Sequence, residues 1–280
     1  MRTRRSLEEE LGPVVCDWLA MVDELGVRVW LDSGTLLGLV RDGEVPAWDR
    51  DVDVGAWSSD LATLRGSLQT VSTRHRARLE EKHLDGVPYA FVLKPRVGEG
   101  VRALPLAVHL FDREDQRAIS SQPHYLLAQE AAYVRRRLAT LAEALGGGAA
   151  LWRARASAPR LALLELLHFL RLGRPLRLLT RLAFAADSRG VVALHPAETR
   201  AFGWLFTRLQ WSYPLRHVEV LAPIPLETRA SSAWIPAESE AYLSFRYGTL
   251  WRRPVRDWVY VLDDGAIVHR PGLEVGPGVG

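Results

Sequence analysis

The chain has 280 residues, 48% of them hydrophobic, ten tryptophans and a formal net charge of +3. That is ample apolar material for a packed globule and too small an excess of charge for general nucleic-acid binding, and no zinc-finger or RNP pattern occurs. The single cysteine, Cys16, excludes an intrachain disulfide and a cysteine-rich zinc site, and it fits a reducing compartment.

In chain order, Leu11, Val14, Val15, Trp18, Leu19, Val22 and Leu25 keep helical spacing, with Pro13 near the start and Gly26 closing the helix. A first strand follows over 27–31. A tight turn at Ser33-Gly34-Thr35 then leads into a short helix over 35–41. Asp49, Asp51 and Asp53 alternate through the next stretch, and a second strand is expected over 51–56. Ser58 or Ser59 caps a helix with Leu61, Leu64 and Leu68 inward. Strands are expected over 87–93 and 102–111, joined across Gly98-Glu-Gly100. From Pro123 onward the pattern reads as helical, with candidates over 126–145, 159–172 and 175–186. A C-terminal part follows, with a strand-like run over 259–262, a hairpin-type turn at Asp263-Asp-Gly265 and a loose tail over 276–280. No internal repeat is present.

The fold class read from this order is α+β: a mixed sheet flanked by helices. Residues 1–115 form its catalytic core, 116–215 a helical region and 216–280 a segment packing on the core, together one integrated domain. The longest apolar run, 161–172, is broken by Glu165, His168 and Arg171 and is too short to span a bilayer. The basic N-terminus lacks the apolar run of a signal peptide. A soluble, cytoplasmic protein is expected. Seven arginines between Arg153 and Arg181 leave open peripheral contact with the inner membrane face, or a solvated helix surface.

The chemistry concentrates in two places. Alternate residues on a strand share a face, so Asp49, Asp51 and Asp53 would repel one another unless a cation sits among them. A hard, oxygen-preferring ion such as Mg²⁺ (or Mn²⁺) suits such a set. Just upstream, Gly34 permits close backbone approach, and a helix N-terminus offers unpaired N–H groups to a phosphate. Ser33, Gly34 and Thr35 are therefore candidate phosphate contacts. Arg41 either holds a donor phosphate or pairs with Asp42 or Glu44.

The stretch Leu31-Asp-Ser-Gly-Thr-Leu-Leu-Gly-Leu-Val-Arg41, followed by Val45-Pro-Ala-Trp-Asp-Arg-Asp-Val-Asp-Val54, resembles the signature of the LicD/fukutin family of the nucleotidyltransferase-fold superfamily. Near the C-terminus Trp234-Ile-Pro236, Tyr242-Leu243 and Tyr247-Gly-Thr-Leu-Trp-Arg-Arg-Pro254 are similar to its closing segment, which reads as architectural more than catalytic. The resemblance implies a nucleotidyltransferase-like core and a metal held by Asp51-Val-Asp53. It further implies transfer of phosphocholine or a phosphoalditol from a CDP-linked donor to a glycan or lipid-linked glycan acceptor. The family's third acidic position corresponds to Val108-His-Leu-Phe111, which places His109 where a carboxylate is expected. His109 is then either the base for the acceptor or a structural histidine, with Asp49 and Asp112 as the other candidates. Two further readings stand: an adenylyl-type nucleotidyltransferase with the same metal site, and an inactive binding protein on this fold.

Overall fold

The computed structural model describes residues 6–84, 86–96, 104–125, 191–194, 206–227, 229–255, 258 and 263–269. The helices expected over 126–145, 159–172 and 175–186, the run 259–262 and the tail 276–280 lie outside them.

Helix α1 (Leu7–Leu11) opens with a capping box in which Ser6 and Glu9 satisfy each other's backbone N–H. Helix α2 (Pro13–Glu24) has Pro at its first position, where the missing N–H costs nothing. Its apolar stripe is buried, and Trp18 Nε1–H donates to Ser67 Oγ at 3.0 Å on helix α4 (Leu61–Arg74). Between these helices run β1 (Val29–Leu31), helix α3 (Ser33–Arg41) and β2 (Val52–Trp57). Strands β3 (Arg78–Leu84), β4 (Val87–Lys94), β5 (Leu106–Glu114) and β6 (Arg117–Tyr125) follow. Then come β7 (Val191–Leu194), β8 (Phe206–Pro214), a turn of helix α5 (Arg216–Glu219), β9 (Leu221–Leu226) and β10 (Ser231–Pro236). Helix α6 (Ser239–Tyr247) and β11 (Ile267–His269) end the described chain.

The main sheet runs β11-β8-β6-β5-β4-β3-β7, with β2 also pairing β5 and β1 pairing β2. Pairs β2·β5 and β3·β7 are parallel and the others antiparallel, so the sheet is mixed, as expected. Three expectations change. Strand β2 begins at Val52, so of the three aspartates only Asp53 lies in a strand. Both ends of the stretch read as helical are strands: β6 passes through Pro123, and β8 pairs with it along its whole length. Pro123 fits there because the described pairing of β6 with β5 ends at Ile119, so at Pro123 β6 pairs with β8 alone and the missing N–H need not serve a second neighbour. Asp264, read into a hairpin-type turn, is wholly buried and serves as an anchor.

The sheet separates two cores. Val52, Val54, Phe91, Leu93 and Val108 face α2 and α4. On the other face Trp30, Trp57, Phe111, Tyr213, Tyr242 and Trp251 pack together. Trp30 lies flat against β2 at Gly55, where a Cβ would fall 2.2 Å from the indole; only glycine permits that approach. Ring centroids step from Trp30 to Phe111 at 5.5 Å, to Tyr213 at 5.2 Å and to Tyr242 at 5.2 Å. This aromatic chain carries the C-terminal helix α6 back onto the start of α3.

Candidate active site

Strand alternation puts Val52 and Val54 in the first core and turns Asp53 to the opposite face. The β2·β5 register aligns Asp53 with Ala107 and Gly55 with His109. His109 therefore shares the face of Asp53, and its Nε2 lies 3.1 Å from Asp53 Oδ1. Gln122 on β6 brings its Nε2 to 2.9 Å from His109 Nδ1. With that amide N–H donating to Nδ1, the proton of a neutral ring sits on Nε2 and points at Asp53. In this arrangement His109 is a donor to the aspartate. Asp112 has the opposite parity on β5 and hydrogen-bonds Ser58 Oγ, away from Asp53.

Asp49 and Asp51 precede the strand in a turn, yet they converge with Asp53. Asp51 is pushed up to about 6, first by burial and then by the charge of Asp53. The charges of His109 and Lys82 and a hydrogen bond with Asp49 oppose that rise. Asp49 Oδ2 reaches the first turn of α3, where a Cβ on Gly34 would stand 2.5 Å from it. Gly34 is thus needed for a carboxylate approach as well as for any ligand approach.

The α3 N-terminus is built by Asp32, 1% exposed, whose carboxylate accepts from Ser33 N at 2.6 Å. Ser33 takes φ 51°, uncommon for a residue with a Cβ. Its conformation is held from the far end of the chain. Arg246 Nη1 donates to Ser33 Oγ at 2.8 Å and to Asp32 Oδ1 at 3.0 Å, while Arg246 Nε donates to Asp264 Oδ2 at 2.8 Å. The Tyr242 hydroxyl also donates to Asp32. Asp264 accepts in addition from Ala266 N at 2.9 Å and from Trp211 Nε1 at 3.3 Å. Asp264 and the tyrosines around Arg246 hold its guanidinium charged despite burial, which acts the other way.

A cleft of about 320 Å³ joins these parts. Ser33, Gly34, Asp49 and Asp53 line it from the N-terminal half, and Arg246, Tyr247, Trp251, Arg253 and Pro254 from the C-terminal segment. That segment, read as architectural, forms a wall of the cleft. Arg41 lines the cleft too, and its guanidinium is engaged by Asp42, with Nη2 to Oδ2 at 2.7 Å. Thr35 is wholly buried and accepts Asp53 N–H at 3.0 Å, so its hydroxyl fixes the aspartate strand to α3 and does not reach the cleft. Arg246, Asp32, Asp264 and Gln122 were missed in the sequence. Two of them had a local signal: Asp32 stands inside the quoted stretch 31–41, directly before the turn, and Arg246 directly before the Tyr247-Gly248 pair.

Among the described residues no three carboxylate, imidazole or thiolate groups form a ready-made cage for a metal. The donor set still fits Mg²⁺, which keeps several waters and takes one or two carboxylates together with substrate phosphates. Burial and then the charge of Asp53 raise Asp51, and a divalent ion held there would offset both.

Residues 26–90 match the model of the family described as LicD/FKTN/FKRP, nucleotidyltransferase domain. The stretch with the turn and all three aspartates lies inside that match. Over 85 residues, 29% of this chain, the sequence is 35% identical to the ribitol 5-phosphate transferase FKRP of Mus musculus and to that of Homo sapiens. The match spans 16% of the length of each relative. Two solved structures of ANT(2'')-Ia are also similar. One is a crystal structure with adenylyl-2''-tobramycin, 17% identical over 57% of this chain and 97% of that one, with a TM-score of 0.28. The other is a solution structure of this antibiotic-resistance factor, 21% identical over 38% of this chain and 49% of that one, with a TM-score of 0.27.

Proposed function

We propose that the chain is a metal-dependent phosphotransferase. It moves a phosphorylated small alcohol, phosphocholine or a phosphoalditol, from a CDP-linked donor to a hydroxyl of a glycan or lipid-linked glycan, releasing CMP. One observation carries this reading: a single cleft is lined by the α3 N-terminus, by the buried cation Arg246 and by Asp53, with Asp51 beside it. A helix N-terminus and a guanidinium suit the donor's phosphates. Asp51 and Asp53 would hold Mg²⁺ or Mn²⁺, which supplies positive charge to the transferring and leaving groups when bound. Asp32 and Arg246 orient Ser33 and the first N–H groups of α3. Thr35 holds the backbone of Asp53. The family match over 26–90 and the FKRP likeness support a transferase of phosphate-containing groups, and the CDP donor and glycan acceptor extend that support. Among the described residues no helix is long and apolar enough to cross a membrane. Work at the cytoplasmic membrane face on a lipid-linked acceptor belongs to the same proposal.

The test is to incubate the chain with a panel of CDP-alcohols and nucleoside triphosphates plus Mg²⁺ and follow the products by mass spectrometry. Release of CMP from a CDP-alcohol is expected. Pyrophosphate release from a triphosphate, with the CDP-alcohols untouched, would replace this reading with the adenylyl-type one. No consumption of any donor would favour the inactive binding protein.

A further inference from the structure

Three arginines line the cleft: Arg41, Arg246 and Arg253. Two of them have their charge met by the protein. Arg41 is held by Asp42, through Nε at 3.0 Å and Nη2 at 2.7 Å. Arg246 lies between Asp32 and Asp264, two carboxylates against one guanidinium. Arg253 differs. Its exposed side chain makes no hydrogen bond, ion pair or ring contact with the described residues.

The place of Arg253 is nevertheless fixed by its neighbours. Helix α6 ends at Gly248, whose φ of 80° lets the chain turn away. Trp251 N–H then donates to Gly248 O at 3.2 Å and Arg253 N–H to Leu250 O at 2.8 Å, two turns in succession. Trp251, 5% exposed, anchors these turns in the second core. Pro254 biases the backbone of Arg253 toward extended conformations. Arg252 is drawn elsewhere: its guanidinium stacks on the Trp251 ring at 4.4 Å and pairs with Glu240 of α6. Of two adjacent arginines, one braces the wall and the other lines the cleft.

The charge balance of the cleft indicates what Arg253 meets. On the reading proposed above, Asp51 and Asp53 offset the divalent ion, and Arg41 and Arg246 are offset by their own carboxylates. Asp49 adds a negative charge. A donor diphosphate brings one more on each phosphate. Against these, the α3 N-terminus supplies about half a unit of positive charge. Arg253 supplies a whole unit, on a planar fork that matches two phosphate oxygens. Tyr247, Trp251, Pro254, Val255 and Trp258 line the cleft with it. Their largely apolar surface lowers the local dielectric and strengthens a pairing made there. We propose that Arg253 grips the donor's diphosphate from the C-terminal wall of the cleft. The ligand class it selects is a pyrophosphate ester. Arg253 sets the affinity for that group, while Arg246 shapes the helix N-terminus that receives it. This assignment rests on the donor reading of the cleft, and the two can fail separately.

The experiment titrates the full chain by calorimetry with CDP, ADP and inorganic pyrophosphate, each with Mg²⁺. Arg253→Met should weaken CDP and pyrophosphate about tenfold or more, the loss expected for a hydrogen bond to a charged group. Arg253→Lys should recover part of the affinity, since an ammonium carries the charge without the fork. Arg252→Met should bind both as wild type does. Arg253→Met should melt with wild type, because an exposed side chain without partners has little to lose. Equal affinities in wild type and Arg253→Met overturn the proposal. So does an equal loss in Arg252→Met, which would reduce the effect to net charge. If ADP binds as tightly as CDP while both still depend on Arg253, the cytidine donor falls and the grip on phosphate stands. If no probe binds wild type, both fall.

Discussion

Two groups of aspartates, one at the mouth of the cleft and one beneath it, are treated in opposite ways. Beneath, Asp32 and Asp264 are 1% and 0% exposed, and Arg246 lies between them. Tyr242, Trp211 and backbone N–H groups supply further donors, so this group is closed. At the mouth, burial and the charge of Asp53 drive Asp51 up to about 6, against the opposing charges of His109 and Lys82. Buried charge that is internally matched holds a shape; charge left in excess beside a cleft is matched by what enters. The first group shapes the α3 N-terminus, and the second carries the charge that the proposed cation would offset.

The comparison breaks most severely at Arg246. Arg246→Met keeps much of the stem and leaves two buried carboxylates without their cation, which costs about 3–5 kcal/mol. Urea denaturation should show that loss, and Arg246→Lys should recover part of it, since an ammonium carries the charge but not the fork. A loss under about 1 kcal/mol, the range of an exposed pair, would mean that the triad is not holding the fold.

The mouth answers differently. Under the proposed reading Asp51→Asn and Asp53→Asn should each lower turnover of the CDP-alcohol about a hundredfold or more, as for loss of a main electrostatic stabiliser. Their stability should move the other way from Arg246→Met. A carboxyl group raised to about 6 from an unfolded value of 3.8 is easier to ionise in the unfolded chain. Ionised Asp51 therefore costs nothing below pH 3.8, costs progressively more up to about 6, and costs its full amount above that. At roughly 1.4 kcal/mol per pH unit the full amount is about 3 kcal/mol. In EDTA, Asp51→Asn should exceed wild type in stability at pH 7.5 and match it near pH 3.5. A pH-independent difference would show that Asp51 is not strained in the free protein.

What could be read from the sequence divides along the same line. Asp49, Asp51 and Asp53 fall within five residues, and the Ser33-Gly34-Thr35 turn lies close by, so local spacing revealed them. Their strand did not start where alternation suggested, because the turn at Asp49 and Asp51 imitates a period of two. Arg246 and Asp32 are separated by 214 positions, and no local pattern announces such a pair. His109 could be located by resemblance, but Gln122 reaches it only through β6, which Pro123 disguised. Thr35 stands in the expected turn, and the contact local spacing did not announce is the one its hydroxyl makes with Asp53 N–H, 18 positions away.

The mildest change joins the two groups. Gly34 sits on α3, which the closed group anchors, and faces Asp49 of the open one. Its backbone conformation is one that any L-residue accepts, so Gly34→Ala carries no left-handed strain. By helix propensity alone it should shift stability by no more than about 1 kcal/mol, and in the favourable direction. The added methyl, however, would stand 2.5 Å from Asp49 Oδ2 and 3.3 Å from the Trp48 ring. The flexible carboxylate gives way first, so Asp49 leaves the helix N-terminus while the fold stays. Displacement of a site group by an ångström or so costs about tenfold to a hundredfold in rate. If the whole effect runs through Asp49, then Gly34→Ala and Asp49→Ala should not add: the double variant should be about as slow as Asp49→Ala alone. Full additivity in that cycle would mean that the methyl obstructs the ligand itself, and Gly34 would then be a direct contact in the cleft instead of a seat for the carboxylate.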